Sequence, residues 1–141
     1  MNKCKVYAVF IMYTIVRVGL VCADVPPSQQ AEVEYLLQYV RTSSCVMERN
    51  GTRHDGQEAA SHIRRKYEYY QKKIQTTEEF VEYAATKSTM SRQRYIVYCE
   101  GQEPIFSSDW LMEELARFRR DKKNDSASGT GGGISLAKEN L

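Results

Sequence analysis

An α+β fold is predicted, with about four helices, a small antiparallel sheet built from a hairpin and one central strand, and one disulfide. Three observations carry this reading. Apolar residues recur at helical spacing in four separate segments. Asn50-Gly51, two residues that tolerate positive φ, sits between two short extended segments and marks a tight hairpin. Residues 95–99 read Tyr-Ile-Val-Tyr-Cys, a strand with apolar side chains on both faces and therefore a central, two-sided one.

Ser28 is placed to cap the first helix, in which Val33, Leu36, Leu37 and Val40 share one face and Glu34, Tyr35 and Gln38 the other. That helix ends near Thr42. Residues 45–49 and 52–54 form the hairpin. Asp55, with Glu58 three residues on, opens the second helix in the manner of a capping box. Its buried stripe is Ala59, Ile63, Tyr67, Tyr70 and Ile74, and Arg65, Tyr69 and Lys72 face away. Thr76 or Thr77 caps a shorter third helix with Phe80, Val81 and Ala84 inward. Residues 88–93 are a polar loop. Gly101 turns the chain, Pro104 is tolerated in a short edge strand, and Ser107 or Ser108 caps a last helix with Trp110, Leu111, Leu115 and Phe118 inward. From Asp121 the apolar periodicity stops and a glycine run at 129–133 follows. Residues 24–120 are thus expected as one globular domain and 121–141 as a disordered tail.

The first 23 residues are of a different kind. Lys3 and Lys5 precede eleven uncharged residues, and Val21-Cys22-Ala23 suits cleavage after Ala23, as in a secretory signal peptide. The alternative is an anchor formed by the uncleaved segment, which Arg17 opposes, since an arginine near a bilayer centre costs about 2.5–3.5 kcal/mol. A lipoprotein through Cys22 is disfavoured by bulky Val21. No stable membrane span is expected once the leader is removed. The whole chain carries 20 Lys and Arg against 18 Asp and Glu; without Lys3, Lys5 and Arg17 it has 17 against 18. Nucleic acid is not an expected partner, because phosphate neutralisation needs a clear cationic excess.

Cys4 and Cys22 leave with the leader. Cys45 and Cys99 remain, and in an exported chain a lone pair of cysteines is most simply one disulfide. A metal site with His54 and His62 is the weaker alternative, as the tight cysteine pairs of structural metal sites are missing. No metal and no cofactor is expected.

Several of these residues together resemble a known family. They are Tyr35-Leu36-Leu37, the stretch 45–55 (Cys-Val-Met-Glu-Arg-Asn-Gly-Thr-Arg-His-Asp), Ala59-Ala60, His62-Ile63-Arg64 and Lys66-Tyr67. Further along are Lys87-Ser88, Met90-Ser91, Tyr95, Cys99, Asp109-Trp110-Leu111 and Leu115-Ala116-Arg117. In order and spacing they look like the YfeK-like family of small bacterial exported proteins, a domain of unknown function. The resemblance covers nearly the whole globular segment. It implies a bacterial periplasmic or secreted protein with paired cysteines and no assigned activity. Many relatives have glycine after the serine of the Met-Ser pair, where this chain has Arg92.

Candidate chemistry is sparse. His54 adjoins Asp55, and Cys45, Glu48 and Arg49 are close in sequence, but a cysteine nucleophile needs a free thiolate, which a Cys45–Cys99 bond removes. No Gly-x-Ser-x-Gly elbow accompanies Ser88, Ser91, Ser107 or Ser108. Glu78-Glu79 and Glu113-Glu114 are adjacent pairs that point apart on a helix. Glu114 falls inside the apolar stripe of its helix and so needs a partner, for which Arg41, Arg64 and Arg94 are candidates. Asn50-Gly51-Thr52 also matches a glycosylation sequon, which the hairpin turn explains better. Arg64, Arg65, Lys66, Tyr69, Lys72 and Lys73 give the second helix an aromatic and cationic side.

The expected function is a non-enzymatic exported module that binds a protein or an envelope component. Its expected surface is Arg65, Tyr69 and Lys72, with Asn50 and Gly51 beside them. The alternative is a small envelope hydrolase using His54 with Asp55 or Glu114. A third reading is a structural unit whose tail does the interacting. A monomer is expected.

Overall fold

The computed structural model describes residues 25–128. The expected leader, and residues 129–141 of the expected tail, lie outside the described residues. Within them the chain runs α1 (Pro27–Thr42), β1 (Val46–Arg49), β2 (Thr52–His54), α2 (Gly56–Tyr70), α3 (Thr77–Phe80), β3 (Ile96–Tyr98), β4 (Ile105–Phe106) and α4 (Ser107–Ser128). The predicted α+β class holds: four helices cover one face of an antiparallel sheet of order β2-β1-β3-β4.

Local chemistry explains the boundaries. α1 opens on proline rather than on Ser28. Pro27 takes the first helical position, where its missing N–H is no loss, and Pro26 precedes it. Val25, ahead of both, is already buried. Asp55 caps α2 by accepting from the Glu58 amide at 2.8 Å, and Thr76 caps α3 by accepting from Glu79 at 3.1 Å. The Glu79 carboxylate reaches back to the Gln75 amide at 2.7 Å. Asn50 and Gly51 adopt φ of 52° and 78°, the positive-φ pair that a two-residue hairpin requires.

α2 ends at Tyr70, and a 3₁₀ turn over Gln71–Lys73 carries the chain to the buried Ile74. α3 does not stop at Phe80; it widens into a π-helical turn over Val81–Ala85, with the Thr86 hydroxyl donating to the Val81 carbonyl at 2.9 Å. α4 departs most from expectation. It runs to Ser128, past the boundary read at residue 120, and everything after Phe118 is exposed. Once its first half is packed, each further residue costs little to add, and no glycine or proline intervenes before Gly129.

The core joins Leu36, Leu37 and Val40 of α1, Ile63 and Tyr67 of α2, Phe80 and Ala84, Tyr95 and Val97 of the β3 segment, and Leu111 and Leu115 of α4. β3 is central, between β1 and β4, but buried on one side only: Val97 faces the helices while Ile96 and Tyr98 are half-buried on the outer face. There the Arg53 guanidinium lies 4.3 Å above the Tyr98 ring and that of Arg94 lies 3.6 Å above Phe106. Cations on aromatic faces do the covering that a second layer would do.

Two constraints fix how the layers meet. Cys45 and Cys99 are joined, with Cα atoms 4.4 Å apart, one step beyond the Val46–Tyr98 pair of the ladder. The bond therefore locks the β1–β3 register. At the opposite end Arg119 of α4 donates to both Glu32 oxygens of α1, at 2.8 and 2.7 Å, and to Glu78 of α3 at 2.6 Å. The buried Thr77 hydroxyl also donates to Glu32, at 2.7 Å. A further close approach lies where α2 begins. A Cβ added at Gly56 would sit 2.3 Å from the Val40 carbonyl oxygen and 3.0 Å from that of Arg41.

Cys99→Ser is expected to lower the stability of the oxidised protein by about 4 kcal/mol, the chain-entropy value for a loop of this size. Thermal melts with and without reductant check it: the wild type should lose stability on reduction and the variant should not. Gly56→Ala is expected to cost about 1–3 kcal/mol by overpacking against backbone that cannot move aside; a denaturant midpoint equal to wild type would contradict the close approach.

Candidate functional site

The expected residues fall into separate neighbourhoods. His54, at the end of β2, lies 3.1 Å through Nδ1 from a Glu58 carboxylate oxygen, while Asp55 is occupied in the cap of α2. Glu114 is buried elsewhere on α4. Its partners are not Arg41, Arg64 or Arg94 but Arg117, one turn on at 2.7 Å, and the Tyr35 hydroxyl, which donates to it. Tyr35 was expected on the solvent side of α1. It is instead half-buried, stacked on Phe118 at 4.1 Å between ring centres, and the Glu114 carboxylate raises its pKa by holding its proton. Arg64 pairs with Glu34 at 2.6 Å and Arg94 lies 3.7 Å from Asp109. Glu114 does not line the shallow pocket around His54, which is formed with Arg49, Gln57, Glu58, Ser61 and Arg65. Ser61 donates to the Gln57 carbonyl at 2.8 Å, not to His54.

The expected binding surface is partly assembled. Arg65 and Tyr69 line a depression of about 320 Å³ with His62, Lys66, Tyr70 and Thr89. It continues, through Lys66, Tyr70 and Thr89, into one of about 350 Å³ bounded by Glu82, Tyr83, Lys87, Ser88 and Arg92. The two form one groove between the outer side of α2 and the loop 87–93. Lys72, on the 3₁₀ turn, lines neither part. Asn50 and Gly51 border another depression with Glu48 and Arg94, but the hairpin tip is tied to the loop, as Ser91 donates to the Asn50 side chain at 2.6 Å.

The loop is held on every side. Arg92 N–H donates to the Ser88 carbonyl at 3.1 Å and Ser88 N–H to the Gln93 carbonyl at 2.9 Å. The Tyr70 and Thr89 hydroxyls are 3.2 Å apart. The Lys66 ammonium donates to the Lys87 carbonyl at 2.7 Å, clasping the loop to α2. Arg92 closes the turn at φ 62°, so the turn stays tight with arginine in a left-handed position that glycine would occupy without strain.

The groove is electropositive. Burial, followed by the charges of Arg49, Lys66, Arg65 and His54, lowers the His62 pKa to about 4, so the imidazole is neutral at pH 7. Its Nε2 is 3.1 Å from the buried Tyr95 hydroxyl. Burial, then Lys87 and Arg49, lowers Lys66 to about 8 against the opposing pull of Glu82. Among the described residues Arg49, Arg65 and Arg92 form no ion pair. Lys87 has only Glu82, at 3.5 Å. The field of a concave, cationic surface of this kind is favourable to negative charge. Among the described residues no three His, Cys, Asp or Glu side chains converge as metal ligands would.

Sequence reading picked out Arg65, Lys66 and Tyr69 on α2 but passed over the loop that faces them. Lys87 and Arg92 bracket Ser88, Thr89, Met90 and Ser91, and what joins the loop to α2 is the Lys66–Lys87 carbonyl bond, a tertiary contact without a motif. The departure from glycine at Arg92 was the one available pointer.

Acidification should weaken the fold in two stages. The unfolded chain protonates His62 near pH 6.5, whereas the folded one resists until about 4, so the stability from the neutral imidazole is present above that window and lost as pH falls through it. Glu32 and Glu78 are held below the usual carboxylate value, chiefly by hydrogen bonds from Arg119, so their contribution is present above about pH 4.5 and lost below it. Melting temperature against pH checks both: His62→Gln should flatten the upper stage and Arg119→Ala the lower, and unchanged slopes would count against these assignments.

None of the described helices is long and apolar enough to cross a membrane. No curated protein and no solved structure matches the chain. The model of a family of unknown function, DUF5329, matches residues 27–119, from the first turn of α1 to the packed half of α4. With that span of the domain matched, the chain belongs to the DUF5329 family.

Proposed function

We propose that this protein is a non-enzymatic binding module exported to the bacterial envelope, and that it receives a negatively charged partner in the groove between α2 and the loop 87–93. The export reading rests on the basic and apolar character of residues 1–23, with cleavage after Ala23, and on the Cys45–Cys99 bond, which persists in oxidising compartments. Residues beyond the helix end serve as a tail in this reading.

One observation carries the binding role. Arg65, Lys66, Lys87 and Arg92 line one concavity with a single acid, Glu82, among them; Arg53, Arg64, Arg94, Arg117 and Arg119 elsewhere are paired, and Arg41, Arg49 and Arg120, which have no ion pair among the described residues, do not line it. Leaving like charges together costs stability unless a ligand neutralises them. The strain at Arg92 points the same way, since backbone outliers persist where a function holds them. Hydrolysis is the weaker reading because His54 has Glu58 as its partner and no hydroxyl or thiol nucleophile bonded to it among the described residues.

Titration with inorganic pyrophosphate, followed by amide NMR, tests the groove. The Thr89, Arg92 and Lys66 amides should shift first and saturate together; shifts spread evenly over the surface, or none, would defeat the proposal. Arg92→Gly should raise stability by about 1 kcal/mol by relieving the left-handed arginine while weakening pyrophosphate binding. A variant that bound equally well would remove Arg92 from the site.

A further inference from the structure

We infer that the negatively charged partner is a bilayer surface rich in anionic phospholipid, met by the loop 88–92 with its tip foremost; this rests on the anion-binding reading above and names its occupant. The loop tip carries Met90, which is 95% exposed although apolar. Among the described residues none covers it, although the loop that carries it is clasped to α2 and to the hairpin tip. Tyr69, on the side of the groove nearest Thr89, is 81% exposed, and Tyr83 on the far wall is partly exposed. An exposed thioether next in the chain to Thr89, which lines the groove with Tyr69 and Arg65 on one part and Tyr83, Lys87 and Arg92 on the other, supplies the three chemistries that a lipid interface takes up. The apolar tip enters the acyl boundary, phenol rings sit at headgroup level, and cations meet phosphates.

Charge complementarity selects this occupant over a zwitterionic surface. Glu68 acts on Arg64, which pairs with Glu34 of α1, and Glu82 is the single acid lining the groove against Arg65, Lys66, Lys87 and Arg92. The patch is small, and a loop tip with one apolar side chain gives weak, reversible attachment rather than an anchor. Soluble phosphate-bearing anions share the headgroup chemistry but leave Met90 and Tyr69 without a role.

Co-sedimentation of the full chain recovered after export, with vesicles of equal parts phosphatidylglycerol and phosphatidylcholine, tests the inference against vesicles of phosphatidylcholine alone. Binding should require phosphatidylglycerol and fall as salt is raised. Arg65→Gln and Lys87→Gln should each weaken it about fivefold, the usual worth of one cation at an anionic surface. Met90→Ser should weaken binding at unchanged charge. Met90→Trp should strengthen it and give a blue-shifted emission on phosphatidylglycerol that the wild type, with only Trp110, does not show. If the vesicles are not bound but the pyrophosphate shifts persist, the partner is a soluble anion and the membrane inference is overturned while the binding role survives. If vesicles are bound equally by Met90→Ser and by both charge variants, another face is responsible and the inference is again overturned. Loss of both vesicle binding and pyrophosphate shifts removes the groove altogether.

Discussion

The bond between Cys45 and Cys99 decides more than the stability of one strand pair. β1 and β3 come from opposite halves of the chain and are each only a few residues long, and the cysteines that flank them are 54 residues apart. Ladders so short specify register weakly, and a slip of one residue would turn Val97 outward and Tyr98 into the helices. With the register locked, the β1–β2 tip and the loop before β3 are delivered to the same end of the sheet, where Ser91 meets Asn50. The buried Tyr95, just ahead of β3, then sits under α2 against His62 and Lys66. The groove is in this sense a product of strand register.

Charge is sorted on this surface in a way that net charge conceals. The body of the chain is almost neutral. Several of its carboxylates nonetheless hold arginines in pairs away from the loop, as in Glu34–Arg64 and the Glu32–Arg119–Glu78 network. The cations facing the loop keep few such partners. Pairing on one side and its scarcity on the other follow from which helix faces oppose each other, and a count over the sequence averages the two.

Periodic features were therefore legible in the sequence and convergent ones were not. The stripes of α1 and α2, the Asn50-Gly51 turn, the caps at Asp55 and Thr76 and the cysteine pairing all follow from local spacing or from compartment chemistry. The entry to α1 was misplaced because Ser28 has the right side chain but Pro27 already has the right φ. Tyr35 and the partner of Glu114 were misassigned for one reason: α1 packs against α4, and neither sequence segment carries a mark of the other. The length of α4 was underestimated because composition reports what a segment can bury, not what a helix already formed will propagate. On the candidate site, the α2 half was visible as Arg65 and Tyr69, and the loop half became visible only through Lys66 and the φ of Arg92.

The wide turn over Val81–Ala85 has a consequence for how such domains diverge. A π turn behaves as one residue inserted into an α-helix, and such insertions are common at functional positions. Losing a single residue there would let the segment rewind as ordinary helix, which keeps the apolar side chains of Val81 and Ala84 near the core. It would also rotate Glu82 and Tyr83 away and draw Lys87 back along the axis. Relatives could thus keep the scaffold while reshaping one wall of the cleft, with chain length in that helix acting as the dial.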